Sequence, residues 1–167
     1  MDNSHLAYLS LGSNIQPEEN LVRAVRLLQQ HGQIGTLSNA WESESVGADG
    51  PNYLNACLAF VSSFSPAGLK EKVISPIEQA LGRKRTGNKF APRTMDIDIV
   101  IFDNLSCDDK YWEQAFVVVP LAEIYPTFKN PVLQEPIHVT AERCRRETWL
   151  ERRQDVLSKF KGNISTT

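Results

Sequence analysis

The clearest pattern in the sequence is Thr94-Met-Asp-Ile-Asp-Ile-Val-Ile-Phe102, where apolar and acidic residues alternate as they do in a half-buried β-strand. Side chains two positions apart share one face of a strand, so Asp96 and Asp98 lie together, with their Cα atoms about 6.6 Å apart. The opposite, apolar face consists of Met95, Ile97, Ile99 and Ile101. We therefore predict a strand that packs one face on a core and presents two carboxylates on the other.

The segments before this strand carry the patterns of strand, helix, strand, strand and helix in turn. Apolar residues recur at helical spacing after Pro17 and again after Ser65-Pro66, whereas the runs between them are rich in strand-forming residues. The predicted elements are a strand at 6–11, a helix at 17–30, strands at 34–46 and 53–61, and a helix at 65–82. Pro76 is expected to kink the second helix, because a proline inside a helix removes a hydrogen bond.

The complete order is β-α-β-β-α-β, which is typical of the ferredoxin-like fold, an α+β arrangement with two helices on one face of an antiparallel sheet. The other face of such a sheet stays available. Weaker patterns beyond Phe102 predict a strand at 116–119, an arginine-rich amphipathic helix at 141–160 and a loose tail at 161–167. We predict one domain, residues 1–167, with a C-terminal helical extension.

The composition argues against several classes of protein. Among the 167 residues, 18 are basic and 20 are acidic, and a formal net charge of −2 does not favour a non-specific binder of nucleic acid or membranes. No apolar run is long enough to span a bilayer. The three cysteines are widely spaced and odd in number, which predicts reduced thiols and neither a disulfide framework nor a zinc site. We expect a cytoplasmic protein.

A run of basic residues directly precedes the acidic strand. The five cations within eleven residues are Arg83, Lys84, Arg85, Lys89 and Arg93. Mg²⁺ is bound in proteins by one or two carboxylates together with water and substrate phosphates, and arginine binds phosphate oxygens in pairs. Cations and carboxylates held this close together therefore predict a polyphosphate site. The alternative for the aspartates is a solvated strand face with salt bridges. The alternative for the cations is a solvated or nucleic-acid-binding basic loop, and this second alternative leaves the aspartates unexplained.

Tyr53 and Asn55 lie two apart on a predicted strand and hence on one face, where they offer an aromatic plane beside an amide. This combination suits a flat heterocycle. It is a weak signal alone, because tyrosines on strands more often pack against a cross-strand neighbour. Phe116 is a candidate for the opposing plane, although packing in the core is the default interpretation of such a residue.

Taken together, these residues resemble the 6-hydroxymethyl-7,8-dihydropterin pyrophosphokinase family of folate biosynthesis, usually called HPPK. The matching motifs are Leu11-Gly-Ser-Asn14, Pro51-Asn-Tyr-Leu-Asn-Ala56, Glu78 with Gly82-Arg83, Ala91-Pro-Arg-Thr-Met-Asp-Ile-Asp-Ile99, and Phe116 with Pro120-Leu-Ala-Glu-Ile124. They occur in the family's order and spacing, and a chain of motifs of this kind is highly specific.

The resemblance implies a ferredoxin-like enzyme that transfers pyrophosphate from MgATP to the hydroxymethyl group of a dihydropterin and releases AMP. It implies two Mg²⁺ ions held by Asp96 and Asp98, and small molecules as partners. The implied pterin site consists of Ser43, Val46, Tyr53, Asn55 and Phe116. The implied ATP site consists of Glu78, Arg83, Arg85, Arg93 and Ile99, of which Arg83 and Arg93 also act in catalysis on the phosphates.

Two other classes of function stay open at this point. A pterin- or nucleotide-binding relative without transfer activity is favoured by residues 103–115, which are short and acidic where the family normally has a longer segment with basic residues and a histidine. A ferredoxin-like nucleic-acid module is favoured only by the basic stretches. The three classes differ in whether AMP forms, whether ligands bind without turnover, and whether RNA binds.

Overall fold

A computed structural model of the chain describes residues 3–45, 49–83 and 94–161. The strands are β1 His5–Ser13, β2 Gln33–Leu37, β3 Ala40–Ser43, β4 Tyr53–Ser62, β5 Asp96–Phe102, β6 Leu105–Ser106 and β7 Leu150–Arg153. The helices are α1 Pro17–Gln29, α2 Pro66–Leu69, α3 Ser75–Ala80, α4 Ala115–Ile124 and α5 Ile137–Glu147, with a π-helical turn at Lys70–Ile74 and 3₁₀ turns at Asp109–Glu113 and Ser158–Phe160.

The seven strands form one antiparallel sheet, in the order β6-β5-β1-β4-β3-β7, with β2 also paired to β4. The predicted α+β class is confirmed. The single strand predicted at 34–46 is instead two strands, because regular strand structure is interrupted at Ser38 and Asn39. Ser38 Oγ accepts a hydrogen bond from the backbone N–H of Cys57 at 2.9 Å, which replaces a regular strand contact.

One face of the sheet is covered by α1 and by the helical segment 66–80, as predicted. Leu21, Val25 and Leu28 of α1 are fully buried against Leu9 and Leu58 of the central strands. Helix α1 begins at a proline and carries Glu18 and Glu19 in its first turn. Acidic side chains there interact favourably with the positive end of the helix dipole. The strand side chains that do not pack in this apolar layer therefore point to the opposite face of the sheet.

The second predicted helix is present but is interrupted as expected near Pro76. Ser65 caps its first turn by accepting a hydrogen bond from the N–H of Gly68 at 3.1 Å. The turn Lys70–Ile74 is π-helical, so the backbone widens just before the proline, whose ring nitrogen cannot donate to a carbonyl four residues earlier. The helix then continues as α3 and ends next to the site described below.

The opposite face of the sheet is not left open, and this corrects two predictions. Residues 116–119 were predicted as a strand but lie in α4, and residues 141–160 were predicted as one helix but form the end of α5, then β7, then a 3₁₀ turn. Together α4 and α5 bury Trp41, Cys57 and Val118 in a second apolar cluster. Because α4 is apolar on nearly every side, its sequence has no helical periodicity that could separate it from a buried strand.

Strand β5 departs from the predicted alternation after Ile99. Its register with β1 shifts between Tyr8 and Leu9, so one residue of β5, Val100, is bulged. Ile97 and Ile99 pack on the α1 side of the sheet, whereas Val100 and Ile101 pack on the α4 side. Ile101 therefore does not share a face with Ile97, as the strict period of two predicted.

Cys57, Cys107 and Cys144 are free thiols, as expected. Within the ranges that the structure describes, none of the helices has both the length and the apolar character needed to cross a membrane.

Candidate active site on the sheet

Four residues on adjacent strands form a row across the α4 side of the sheet. Trp41 of β3 lies opposite Asn55 of β4, Asn55 lies opposite Gly12 of β1, and Gly12 lies opposite Asp96 of β5. Directly opposed residues of antiparallel strands project to the same face. The predicted pterin-binding asparagine and the first predicted metal ligand therefore share one surface, about 10 Å apart across two strand spacings.

The side chain of Asn55 is buried and held in one orientation. Its Nδ2 atom donates to the backbone carbonyl of Trp41 at 3.2 Å and to Ser43 Oγ at 2.8 Å. Ser43 in turn lies opposite Tyr53 in the pairing of β3 with β4. Three of the five predicted pterin residues, Ser43, Tyr53 and Asn55, are thus brought together by this pair of strands.

Gly12 leaves space in the middle of the row. A Cβ atom at this position would lie 3.3 Å from Asn55 Oδ1, which is closer than most Cβ contacts, and 3.9 Å from Tyr53 Cδ1, which is an ordinary contact. The motif Leu11-Gly-Ser-Asn14 contributed to the family resemblance, but no role was predicted for Gly12. Its role is visible only once the register of three strands is known.

Asp96 is joined to the end of the second helix by an arginine. Arg83 Nη1 donates to Asp96 Oδ1 at 2.9 Å and also to Glu78 Oε2, which accepts a further hydrogen bond from the backbone N–H of Ile97 at 3.0 Å. Burial raises the pKa of Glu78, and Ile97 and Arg83 oppose this increase. Burial acts to lower the pKa of Arg83, but Asp96 and Glu78 raise it above its ordinary value, so Arg83 remains a cation.

Asp98 lies one step further along the same face, opposite Ser10 of β1. Burial, with the neighbouring charge of Asp96, raises the pKa of Asp98 from 3.8 to about 6, although Lys110 acts in the opposite direction. Lys110 belongs to the 3₁₀ turn after β6, within the segment 103–115 that was interpreted from sequence as acidic. Lys110 was not predicted as part of the site, because nothing in the local sequence indicates that this turn folds back toward β5.

The donor set at Asp96 and Asp98 fits a hard divalent cation. Burial and the neighbouring charge of Asp96 both raise the pKa of Asp98, and a cation bound by the two carboxylates would offset both effects. Across the described parts of the chain, no group of three or more His, Cys, Asp and Glu side chains is arranged to hold a metal ion. A pair of carboxylates alone suits an ion whose other positions are filled by water and phosphate oxygens.

The remaining predicted residues fall into three groups. Phe116 is half-buried at the start of α4, next to Val117, whose carbonyl oxygen lies 3.6 Å from the Sγ atom of Cys57. The side chain of Ile99 packs on the α1 side of the sheet, away from the aspartates. Outside the described residues lie Val46, Arg85 and Arg93, with Lys84 and Lys89 of the same basic run.

The fold and the row of residues define the class: an α+β protein with a polar site built on one face of an antiparallel sheet. Sequence comparison then gives the family. The family model described as 7,8-dihydro-6-hydroxymethylpterin-pyrophosphokinase (HPPK) matches residues 8–126, and the chain belongs to this family. The match ends before α5 and β7.

Curated relatives and solved structures agree with the family match. The chain is 36% identical over 133 residues to 2-amino-4-hydroxy-6-hydroxymethyldihydropteridine pyrophosphokinase of Bacillus subtilis, which covers 72% of this chain and 78% of the relative. It is 34% identical over 143 residues to the protein of the same name from Synechocystis, with 76% and 70% covered. A crystal structure of wild-type HPPK-DHPS from Plasmodium falciparum has a similar fold, with a TM-score of 0.63 at 11% identity, covering 86% of this chain and 46% of that one.

Proposed function

We propose that this protein transfers pyrophosphate from MgATP to the hydroxymethyl group of 6-hydroxymethyl-7,8-dihydropterin, giving the pterin diphosphate and AMP in folate biosynthesis. The observation that carries the proposal is the row Asn55–Gly12–Asp96, in which an amide and a carboxylate lie on one sheet face on either side of a glycine. Membership of the HPPK family supports the same reaction.

The pterin subsite of this proposal lies between Tyr53, Asn55 and Gly12. With its Nδ2 atom bound to Trp41 and Ser43, Asn55 presents its Oδ1 atom on the Gly12 side, where it accepts a hydrogen bond from the edge of the pterin. Tyr53 supplies one stacking plane and Phe116, at the start of α4, supplies the other. Val46, which lies outside the described residues, is proposed to complete the edge contacts.

The phosphate subsite of this proposal lies over the end of β5. Asp96 and Asp98 would hold two Mg²⁺ ions, which when bound neutralise phosphate charge and orient the β-phosphate for attack by the hydroxymethyl oxygen. Arg83, Arg85 and Arg93 bind the phosphate oxygens, and Glu78 and Ile99 form the proposed nucleotide side, with Ile99 contributing its backbone because its side chain packs on the α1 side of the sheet. Phosphoryl transfer chiefly requires positioning and charge neutralisation, so no covalent nucleophile is required.

Arg83 changes partners during the proposed reaction. In the ligand-free protein it neutralises Asp96 and Glu78, which are both close enough to accept its hydrogen bonds. A Mg²⁺ ion held by the carboxylates would compete with the guanidinium group for Asp96, and Arg83 would then be available to the phosphates. Glu78 remains buried beside it and keeps the side chain directed toward the site.

The cytoplasmic location expected from the sequence is part of this proposal. Both substrates of the proposed reaction are soluble small molecules, and fractionation of cells expressing the protein would test the location directly.

Nucleotide analysis of a reaction mixture tests the proposed function. We expect AMP to form only when the protein, ATP, Mg²⁺ and the dihydropterin are all present. Asp96→Asn and Asp98→Asn should each lower the rate by at least about 100-fold, because the phosphate charge is no longer neutralised. Both variants should retain measurable binding of the dihydropterin.

Glu71→Gln is the matched control, because it removes one negative charge from an exposed position on the second helix. It should be as active as the unchanged protein. An Asp98→Asn protein with full activity would contradict the assignment of the aspartates. Binding of the dihydropterin without any AMP would favour a relative that has lost transfer activity.

A further inference from the structure

The C-terminal segment beyond the HPPK match makes direct contact with the strand that carries Ser43. Strand β7 pairs antiparallel with β3, with Leu150 opposite Ser43 and Arg152 opposite Trp41. β3 is therefore held on both edges, by β4 on one side and by β7 on the other. Without β7, β3 would be an edge strand with unpaired backbone groups.

Two arginines of this segment lie over the indole ring of Trp41. The guanidinium carbon of Arg145 in α5 is 5.1 Å from the ring centroid, and that of Arg152 in β7 is 5.0 Å from it. Both arginines are exposed, whereas Trp41 is only 2% exposed, so their side chains shield the ring from water. These distances are within the range of cation–π interactions.

Trp41 connects these arginines to the pterin subsite. Its backbone carbonyl accepts the hydrogen bond from Asn55 Nδ2 at 3.2 Å, and the same Nδ2 atom donates to Ser43 Oγ, two residues further along β3. Its Nε1 atom donates to Glu123 of α4 at 2.5 Å. A displacement of Trp41 would therefore move both acceptors that orient the Asn55 amide.

We propose that residues 137–153 are a positioning element for the pterin subsite, and that Arg145 and Arg152 act as positioning residues by fixing Trp41 and hence the amide of Asn55. The inference rests on the proposed function, because it takes the Asn55 face as the pterin subsite. Neither arginine touches the substrate. Their effect is therefore on recognition of the heterocycle and not on the transfer of phosphate at Asp96 and Asp98.

Calorimetry with the dihydropterin alone, followed by steady-state kinetics, tests this inference. Arg145→Ala and Arg152→Ala should each weaken pterin binding about three- to fivefold, and the double variant about tenfold or more. The KM for ATP and the turnover number at saturating substrates should stay within about twofold. A merely structural role would instead lower the active fraction and hence the turnover number, with the KM for the pterin unchanged.

Two matched variants sharpen the comparison. Arg146→Ala removes the adjacent exposed arginine of α5, which has no contact to Trp41 among the described residues, and it should bind the pterin normally. Arg152→Lys keeps a cation over the ring and should recover most of the affinity. This variant also guards against misfolding, because it preserves the strand and its charge.

The outcomes separate this inference from the proposed function. The inference would be overturned if the double variant, Arg145→Ala with Arg152→Ala, had the same dissociation constant for the pterin as the unchanged protein. It would also be overturned if the double variant lost equal affinity for pterin and ATP. If the unchanged protein binds the pterin but forms no AMP, the proposed function fails, while the binding comparison still decides the inference. If the unchanged protein does not bind the pterin, both fail.

Discussion

The pKa of Asp98 depends on the position of this residue in the sheet. Its side chain is partly buried beside Asp96, and this environment raises its pKa to about 6. Above that pH the ionised carboxylate destabilises the ligand-free fold, and the penalty disappears as the pH falls toward the ordinary value of 3.8. The same charge would be needed to bind a cation, so the affinity of the free protein for Mg²⁺ should fall as the pH drops through about 6.

Asp98→Asn is therefore expected to stabilise the ligand-free protein while it removes activity. We expect the free energy of unfolding near pH 7.5 to rise by about 1–2 kcal/mol, less than the full shift in pKa suggests because surrounding groups and water relax around the charge. Urea unfolding at pH 7.5 and pH 5 measures this, and the gain should shrink at the lower pH. A variant that is less stable than the unchanged protein at pH 7.5 without Mg²⁺ would contradict the argument.

Gly12→Ala tests the space at the centre of the row. The added Cβ atom would lie 3.3 Å from Asn55 Oδ1, so it should crowd the atom assigned to recognise the pterin. We expect binding of the dihydropterin to weaken about tenfold, a loss of about 1.4 kcal/mol, with little change in ATP binding. Calorimetry with each ligand separately would measure both effects.

Gly35→Ala is the matched control for this substitution. Gly35 also lies in a strand of the same sheet, but a Cβ atom there would be 3.8 Å from the Cβ atom of Ala59, an ordinary contact. It should leave pterin binding unchanged. Equal effects of the two substitutions would mean that any alanine in the sheet disturbs the site, and that Gly12 has no special role.

At the scale of elements, α4 is held on the sheet by apolar packing and also by hydrogen bonds to one carboxylate. Glu123 accepts hydrogen bonds from the backbone N–H of Asn39 at 3.2 Å, from Asn39 Nδ2 at 2.7 Å and from Trp41 Nε1 at 2.5 Å. Asn39 and Trp41 are both buried. Glu123 itself is exposed, but removal of its carboxylate would leave donors on two buried residues without their acceptor.

Glu123→Ala should therefore destabilise the protein by about 2 kcal/mol, because buried donors lose their acceptor. Urea unfolding followed by tryptophan fluorescence would measure the loss. Glu142→Ala, at an exposed position of α5, is the control and should change stability by less than about 0.5 kcal/mol. A similarly small change for Glu123→Ala would show that α4 is held by apolar packing alone.

Local sequence patterns predicted some elements well and others poorly, for identifiable physical reasons. Strands β1 and β4 were predicted because each is a short run of strand-forming residues, β5 because its apolar and acidic residues alternate, and α1 because its apolar residues recur at helical spacing. Helix α4 was predicted as a strand because Phe-Val-Val-Val favours strands locally, whereas burial on nearly all sides removes the helical period. Strand β7 was predicted as part of a helix because three of its four residues are charged and have no strand-like alternation.

At the scale of the whole molecule, the order of the predicted elements indicated the α+β class, and the order of the motifs indicated the family. The assignment of a carboxylate pair, an arginine and an aromatic–amide pair to the site stays a prediction. What local patterns could not supply is the register that sets Gly12 between Asn55 and Asp96, or the return of the C-terminal segment to Trp41. These features join strands that are far apart in the chain.

The central claim is that one face of this sheet holds a dihydropterin and the phosphates of ATP for transfer of pyrophosphate. Phosphorus NMR of a reaction mixture with MgATP and 6-hydroxymethyl-7,8-dihydropterin tests it most directly, because it distinguishes every phosphate product. We predict that AMP and a pterin diphosphate appear in equal amounts. Formation of ADP with a pterin monophosphate, or ATP that remains intact while the pterin is bound, would contradict the claim.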